Sequence, residues 1–248
     1  MGEVAERPAF YALRQGGWRD LVTILHPPYT AWHLSYVMLG AAAAPQLHAA
    51  RLWSALVAFF LAVGVAAHAL DELNGHPLRT RLSDPVLIGL AAVGLAGAVG
   101  IGIAGLFVVS VTLAPFVIAG AFLVLAYNLE LFGGRLHTDF WFAAAWGAFP
   151  ALTSFWANAL GVHSVGEAIA GAFVTAACFG LSIAQRRLST PARELRRRTV
   201  AVRGEQRLSD GTVHELSAAR LGAPLDAALA ALSVSLVALA VSLVAIRL

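Results

Sequence analysis

The chain has 248 residues, of which 59% are hydrophobic and 12% are charged, and its net charge is +3. A soluble domain carries about 25% charged residues, so this composition excludes an ordinary soluble protein and indicates an integral membrane protein. The apolar runs are about 20 residues long and do not alternate with period two, which predicts spanning helices rather than a β-barrel. The basic residues lie between the apolar runs, as membrane topology requires, so we expect no nucleic-acid partner.

The N-terminal segment, residues 1–29, is predicted to lie in the membrane interface. Aromatic and apolar side chains mix with charged ones over residues 8–26, a pattern typical of an amphipathic helix on the membrane surface. Pro27 and Pro28 then break this helix, because tandem prolines cannot continue one. The first twenty residues lack the apolar core and cleavage site of a signal peptide, so we expect no cleavable leader.

Seven spanning helices are predicted from the apolar runs, at the length that a bilayer requires. Six form a membrane core over residues 30–185, and the seventh lies in residues 224–248. A basic cytoplasmic loop, residues 186–223, separates them, and its second half predicts a small hairpin that turns at Asp210 and Gly211. The predicted spans are residues 30–47, 51–73, 84–104, 107–129, 138–160, 164–185 and 224–246.

The arginines predict the orientation of these spans. They follow the second, fourth and sixth spans, whereas the alternate loops contain only Arg51. The positive-inside rule therefore places the N-terminus in the cytoplasm and the C-terminus outside. We expect the protein in a bacterial or archaeal cell membrane, with the polar ends of the second, fourth and sixth spans on the cytoplasmic side.

The second predicted span ends in the stretch HALDELNGH, which brings ionisable side chains to a helix end. His68, Asp71 and Glu72 are three or four residues apart in the chain and form one stripe on the helix. Ionisable residues in spanning helices indicate functional sites by default, because a charge in the membrane is costly. For Glu72 and His76 the alternative is an ordinary interface residue that faces water.

A second polar cluster joins the fourth and fifth predicted spans, in the stretch YNLELFGGRLHTDF. Because both clusters lie on the cytoplasmic side by topology, we predict that they form one site. The candidate metal ligands are His68, Asp71, Glu72, Glu130 and His137. The candidate catalytic residues are Asp71, Tyr127 and Arg135, and the candidate substrate-binding residues are Arg79, Arg81 and Asn128.

The order of these features resembles the UbiA superfamily of intramembrane prenyltransferases over about residues 22–160. LHPPYTAWHLSYVMLGAAAAP is similar to the first helix of that family, and HALDELNGHPLRTRLSDP is similar to its first aspartate motif. In this resemblance Asp71 matches the second aspartate of the motif, and His68 stands in place of the first. Tyr127 matches the tyrosine that ends the fourth helix, and Arg135 stands where a basic residue contacts diphosphate.

The resemblance implies an all-α membrane bundle around a cytoplasmic-side cavity, with prenyl transfer from a prenyl diphosphate to a lipophilic or aromatic acceptor. It implies membrane lipid and an isoprenoid as partners, and Mg²⁺ held by aspartates as the cofactor that binds the diphosphate. The second aspartate motif of the family should follow the sixth span, where this chain reads AQRRLSTPARELRRR. Either these arginines bind diphosphate directly, or the chain no longer transfers prenyl groups.

Two other functions compete with prenyl transfer. A histidine in place of an aspartate favours iron, zinc or manganese over Mg²⁺. The predicted ligands, with His33 as a further candidate, would then form a His/carboxylate centre that oxidises a lipid within the bilayer. The remaining alternative is a non-catalytic lipid-binding protein on a similar frame.

Overall fold

A computed structural model describes residues 8–248, and within them the chain is mostly helical. The eight helices are α1 (Trp18–Ile24), α2 (Pro27–Ala43), α3 (Ala49–Leu73), α4 (Asp84–Val108), α5 (Val111–Asn128), α6 (139–159), α7 (Val165–Arg197) and α8 (Ala218–Arg247). Between α7 and α8, strands β1 (Glu205–Arg207) and β2 (Val213–Glu215) pair antiparallel. The predicted hairpin is therefore confirmed, and Gly211 in its turn has a φ of 87°.

Five of the helices, α3, α4, α5, α7 and α8, are long and apolar enough to cross a membrane. The prediction of a helical membrane bundle is thereby confirmed. The first and fifth predicted spans are also helical, as α2 and α6, but α2 has 17 residues and neither belongs to this group of five. A count of seven spans stays a prediction.

Helix α2 lies inside the bundle, packed against α3, α6, α7 and α8. Its side chains Trp32 and Tyr36 are fully buried, together with Cys178 of α7. The polar atoms among them are paired, because the Trp32 indole and the Ser182 hydroxyl both donate to the Tyr36 hydroxyl. A helix enclosed by protein can carry such groups, which explains why the first predicted span is less apolar than the others.

Gly40 sets the distance between α2 and α6, and its replacement gives a first prediction. A Cβ atom at this position would overlap the backbone carbonyl of Ala151. We expect Gly40→Ala to destabilise the protein by about 1–3 kcal/mol, the usual cost of overpacking. Thermal unfolding in detergent measures this.

The matched control for Gly40 is Gly100→Ala in α4, where an added Cβ meets nothing within 4 Å. Alanine favours a helix over glycine by roughly 0.5–1 kcal/mol, so this variant should be neutral or slightly stabilised. Equal melting temperatures for the two variants would contradict the close packing of α2 on α6.

Helix α7 continues through the stretch that was predicted to begin the basic loop, and ends at Arg197 rather than near residue 185. The polar sequence and Pro191 suggested an earlier end, since proline removes one helical hydrogen bond. The helix nevertheless continues past Pro191, and the N–H groups of Arg198 and Thr199 close it on the Glu194 carbonyl. The first part of the predicted loop is therefore helix, and its arginines project from a helical backbone.

Candidate functional site

A polar chamber of about 110 Å³ lies at one end of the bundle. It is surrounded by the C-terminal ends of α3, α5 and α7 and by the N-terminal ends of α2 and α6. The segment from Pro8 to Tyr11 covers it. The chamber brings together residues from both predicted clusters, namely His68, Asp71, Tyr127, Asn128 and His137, and it adds His33. The segments that were predicted to share a site thus line one cavity.

The aromatic rings of this group are held in place by neighbouring carbonyl groups. His137 stacks on Tyr127 with ring centroids 4.5 Å apart, and its Nδ1 donates to the Tyr127 carbonyl over 3.2 Å. His33 Nδ1 donates to the Trp146 carbonyl over 2.8 Å, and His68 Nδ1 donates to the Gly64 carbonyl over 3.2 Å. In each of these three imidazoles Nδ1 is therefore engaged in a hydrogen bond to a backbone carbonyl.

Glu72, a predicted metal ligand, is used by the loop that follows α3. Its carboxylate accepts hydrogen bonds from the backbone N–H groups of Leu78 and Thr80, both at 2.9 Å, and from the Thr80 hydroxyl at 2.8 Å. The side chain is 1% exposed and lies outside the chamber lining. Both oxygens of Glu72 are thus committed to the loop, and only Asp71 of this pair faces the chamber.

Four other predicted residues lie on the exposed surface, away from the chamber lining: Arg79, Arg81, Glu130 and Arg135. Glu130 sits in the turn after α5, where it accepts a hydrogen bond from Asn74 over 3.2 Å. The carbonyl of Arg79 accepts from Gln15, and the N–H of Arg81 donates to Asp20. These backbone contacts fasten the N-terminal segment to the loop after α3.

The basic side of the chamber comes from α7, in the stretch that was predicted to be a loop. Arg186, Arg193, Arg196 and Arg197 all line the chamber. Arg186 donates to Asp139 over 2.9 Å, and Arg196 pairs with Asp226 of α8. Arg193 and Arg197 have no carboxylate within 4 Å among residues 8–248, so their charges are available to a ligand.

The N-terminal side of the chamber consists of aromatic rings around His26, which lies in the segment predicted for the membrane interface. The Tyr11 hydroxyl lies 2.8 Å from His26 Nδ1, and the His26 ring stacks on His68 with centroids 4.1 Å apart. Burial above all, with the nearby His68 ring and Arg197, lowers the pKa of His26 well below 6.5. Burial likewise raises the pKa of Tyr11 well above 10.0. Both side chains are therefore uncharged at neutral pH.

Two buried polar atoms of the chamber lining lack a protein partner among the described residues: His26 Nε2 and Gln185 Oε1. Their side chains are 9% and 2% exposed. A buried polar atom without a hydrogen bond costs about 1–3 kcal/mol, so water or a ligand has to satisfy both. The Tyr11 hydroxyl keeps its proton, and among residues 8–248 its only hydrogen-bond partner is His26. It therefore donates this hydrogen bond to His26 Nδ1. His26 Nε2 then carries the ring proton and faces the chamber as a donor.

The donor set of the chamber does not fit a resident metal centre. Residues 8–248 contain no group of three or more His, Cys, Asp or Glu side chains placed to hold a metal ion. Zinc sites use at least three protein ligands, and Asp71 and the four histidines of the lining are not placed together as such a group. Mg²⁺ is usually bound by one or two carboxylates plus substrate phosphates, and Asp71 is the one carboxylate in the described lining.

A larger apolar groove of about 550 Å³ adjoins the chamber, between α3, α4, α5 and α6. Val63 and Trp146 line both cavities, and each belongs to a π-helical turn, Phe60–Ala67 in α3 and Ala144–Ala148 in α6. Such turns occur frequently at functional sites. Along α3 the groove extends from Val63 back to Ala50, which is about 20 Å at 1.5 Å per residue.

No protein-family model, no curated protein and no solved structure matches this chain.

The two cavities differ in the chemistry that they offer to a ligand. The chamber has guanidinium groups, which bind phosphate oxygens through paired hydrogen bonds. The groove is lined almost entirely by aliphatic and aromatic side chains. An amphipathic molecule with a phosphate-type headgroup and a hydrocarbon tail matches both, if its headgroup and tail meet near Val63 and Trp146.

Proposed function

We propose that this chain binds a prenyl diphosphate and transfers its prenyl group to a lipophilic or aromatic acceptor, as the resemblance to the UbiA superfamily implies. The observation that carries the proposal is that a basic chamber and an apolar groove lie side by side and share the lining residues Val63 and Trp146. The diphosphate lies against the arginines of α7, and the prenyl tail lies in the groove.

The chamber residues supply the groups that such a transfer needs. The bond between the first prenyl carbon and the diphosphate oxygen breaks, and its electron pair leaves with the diphosphate, which Arg193 and Arg197 stabilise. The nucleophilic atom of the acceptor forms the new bond to that carbon and gives its proton to Asp71, the free carboxylate. The ring of Tyr127 lines the same cavity and can stabilise positive charge on the prenyl carbon. In this proposal the α7 arginines contact the diphosphate, which is the role that the resemblance implied for Arg135.

The proposal also assigns the chamber to the cytoplasmic side of a cell membrane. Arg79, Arg81 and Arg135 lie in the loops that follow α3 and α5, and the α7 arginines end at the same face of the bundle. By the positive-inside rule this face is cytoplasmic, with the N-terminus on the same side and the C-terminus of α8 outside. A headgroup delivered from the cytoplasm then reaches the chamber without crossing the bilayer.

Binding of farnesyl diphosphate, farnesol and inorganic diphosphate to the protein in lipid nanodiscs tests the proposal. We expect farnesyl diphosphate to bind at least about tenfold more tightly than either fragment, because only the whole molecule fills both cavities. Equal affinity for farnesol and farnesyl diphosphate would contradict a phosphate-selective chamber. Release of diphosphate on addition of a lipophilic acceptor, lost in Asp71→Asn, would then separate an enzyme from a lipid-binding protein.

Blocking the groove tests the position of the tail. Ala121 of α5 lines the groove, and a tryptophan there fills part of it. We expect Ala121→Trp to weaken farnesyl diphosphate binding about tenfold and to leave inorganic diphosphate binding unchanged. Ile118→Trp on the exposed side of the same helix is the matched control and should bind like the wild type. Equal affinities in the two variants would place the tail elsewhere.

A further inference from the structure

We propose that the chamber holds the diphosphate group directly on Arg193 and Arg197, with no divalent cation between the protein and the phosphate oxygens. This inference rests on the proposed function and concerns how the same site recognises its headgroup. It departs from the Mg²⁺ that the family resemblance implies.

The carboxylates around the chamber leave little for a bridging cation. Glu72 is saturated by three hydrogen bonds from the loop after α3. Asp139 and Asp226 are paired with Arg186 and Arg196. Of the carboxylates around the chamber in residues 8–248, this leaves Asp71 alone, which suffices for one bridging ion at most.

The arginines, by contrast, form a continuous face on the last turns of α7. Arg193 and Arg197 are four residues apart, so their side chains emerge next to each other on the helix. Neither has a carboxylate partner in the described chain, although Arg197 Nε donates to the Pro8 carbonyl over 3.1 Å. Each guanidinium presents several N–H donors in a planar fork that matches phosphate oxygens. Two adjacent forks can hold the two phosphate groups of a diphosphate.

Two further groups orient the anion toward this face. His26 Nε2 is buried, lacks a protein partner and faces the chamber as an uncharged donor. Arg186 is fixed by Asp139 and lies over the Phe142 ring at 5.0 Å, so it borders the chamber in one orientation. These donors surround an anion without any contribution from a metal ion.

Asp71 makes the inference testable, because the two modes of binding predict opposite effects of its charge. In a metal-bridged complex Asp71 is a ligand, and removing its charge abolishes headgroup binding. In the direct complex its carboxylate only repels the diphosphate, so Asp71→Asn retains or increases the affinity. Asp71→Asn can still lose transfer activity, since the acceptor proton then has no base to receive it.

Equilibrium binding of farnesyl diphosphate to the full chain in nanodiscs of uncharged lipid decides between the modes. We expect the dissociation constant in EDTA to lie within about threefold of that in Mg²⁺, and Asp71→Asn to bind as tightly or more tightly. Asp84→Asn, which removes an exposed carboxylate at the start of α4, is the matched control and should leave binding unchanged.

A loss of affinity of about tenfold or more in EDTA, or in correctly folded Asp71→Asn, would overturn direct binding. In that case binding in Mg²⁺ would still support the proposed function. Absence of farnesyl diphosphate binding in both buffers would overturn the proposed function and this inference together. A melting temperature for Asp71→Asn close to that of the wild type shows that the variant is folded.

Discussion

Replacing Arg193 and Arg197 together by glutamine is expected to lower the affinity for farnesyl diphosphate by roughly 100- to 10,000-fold. A hydrogen bond to a charged group is worth about 1.5–3 kcal/mol, so two guanidinium contacts contribute about 3–6 kcal/mol of binding free energy. Of the four arginines that line the chamber, the replacement removes the two that lack a carboxylate partner within residues 8–248. Equilibrium binding in nanodiscs measures the change.

The matched control for this double variant is Arg187→Gln. Arg187 lies on the same helix beside Arg186, but it is exposed and outside the chamber lining. It should bind farnesyl diphosphate like the wild type. A double variant with lysine at positions 193 and 197 keeps both charges but lacks the planar guanidinium groups. It should therefore restore only part of the affinity for farnesyl diphosphate. Unchanged affinity in the double glutamine variant would contradict headgroup binding on α7.

The bundle itself could be predicted from the sequence because membrane-spanning helices are determined by length and apolarity. The predicted spans coincide with α3, α4, α5 and α8 to within a few residues at most ends. Hydropathy identifies the part of a helix that lies in the membrane, however, and not the part that extends beyond it. Helix α7 continues past Pro191 into polar sequence, so its end at Arg197 was missed.

The chamber could be predicted in part, because residue spacing on a helix shows which side chains share a face. His68 and Asp71 are three residues apart and both line the chamber. Glu72 is chemically similar to Asp71, but one residue further along a helix turns the side chain by about 100°. Its contacts with Leu78 and Thr80 depend on how the following loop folds back. Residue types and spacing do not contain that information.

Two parts of the chamber were not predicted, for different reasons: the arginines of α7 and the segment from Pro8 to Tyr11 that covers the cavity. The spacing of Arg186, Arg193 and Arg197 is helical, and a helix extended through Pro191 would have placed all three on one face. That signal was present in the sequence. The contact of Tyr11 with His26, in contrast, joins an irregular segment to the start of α2, and only the folded chain shows it.

Replacing Glu72 by alanine is expected to have the largest effect on stability, a loss of about 3–5 kcal/mol. The substitution leaves three donors in the loop after α3 without an acceptor: the N–H groups of Leu78 and Thr80 and the Thr80 hydroxyl. Leu78 and Thr80 are buried, and each unsatisfied buried donor costs about 1–3 kcal/mol. For a chain of this length the loss corresponds to a decrease in melting temperature of roughly 6–20 °C, measurable by tryptophan fluorescence in detergent.

Two further variants distinguish a loop anchor from a metal ligand at position 72. Glu72→Gln keeps one acceptor oxygen for Thr80 but presents an amide to the Leu78 N–H, so it should lose less stability than the alanine variant. Its affinity for farnesyl diphosphate should match the wild type, because Glu72 lies outside the chamber lining. Glu130→Ala, which removes an exposed carboxylate, should change stability by no more than about 0.5 kcal/mol. If Glu72→Gln kept its melting temperature and lost headgroup binding, Glu72 would be a ligand and not an anchor.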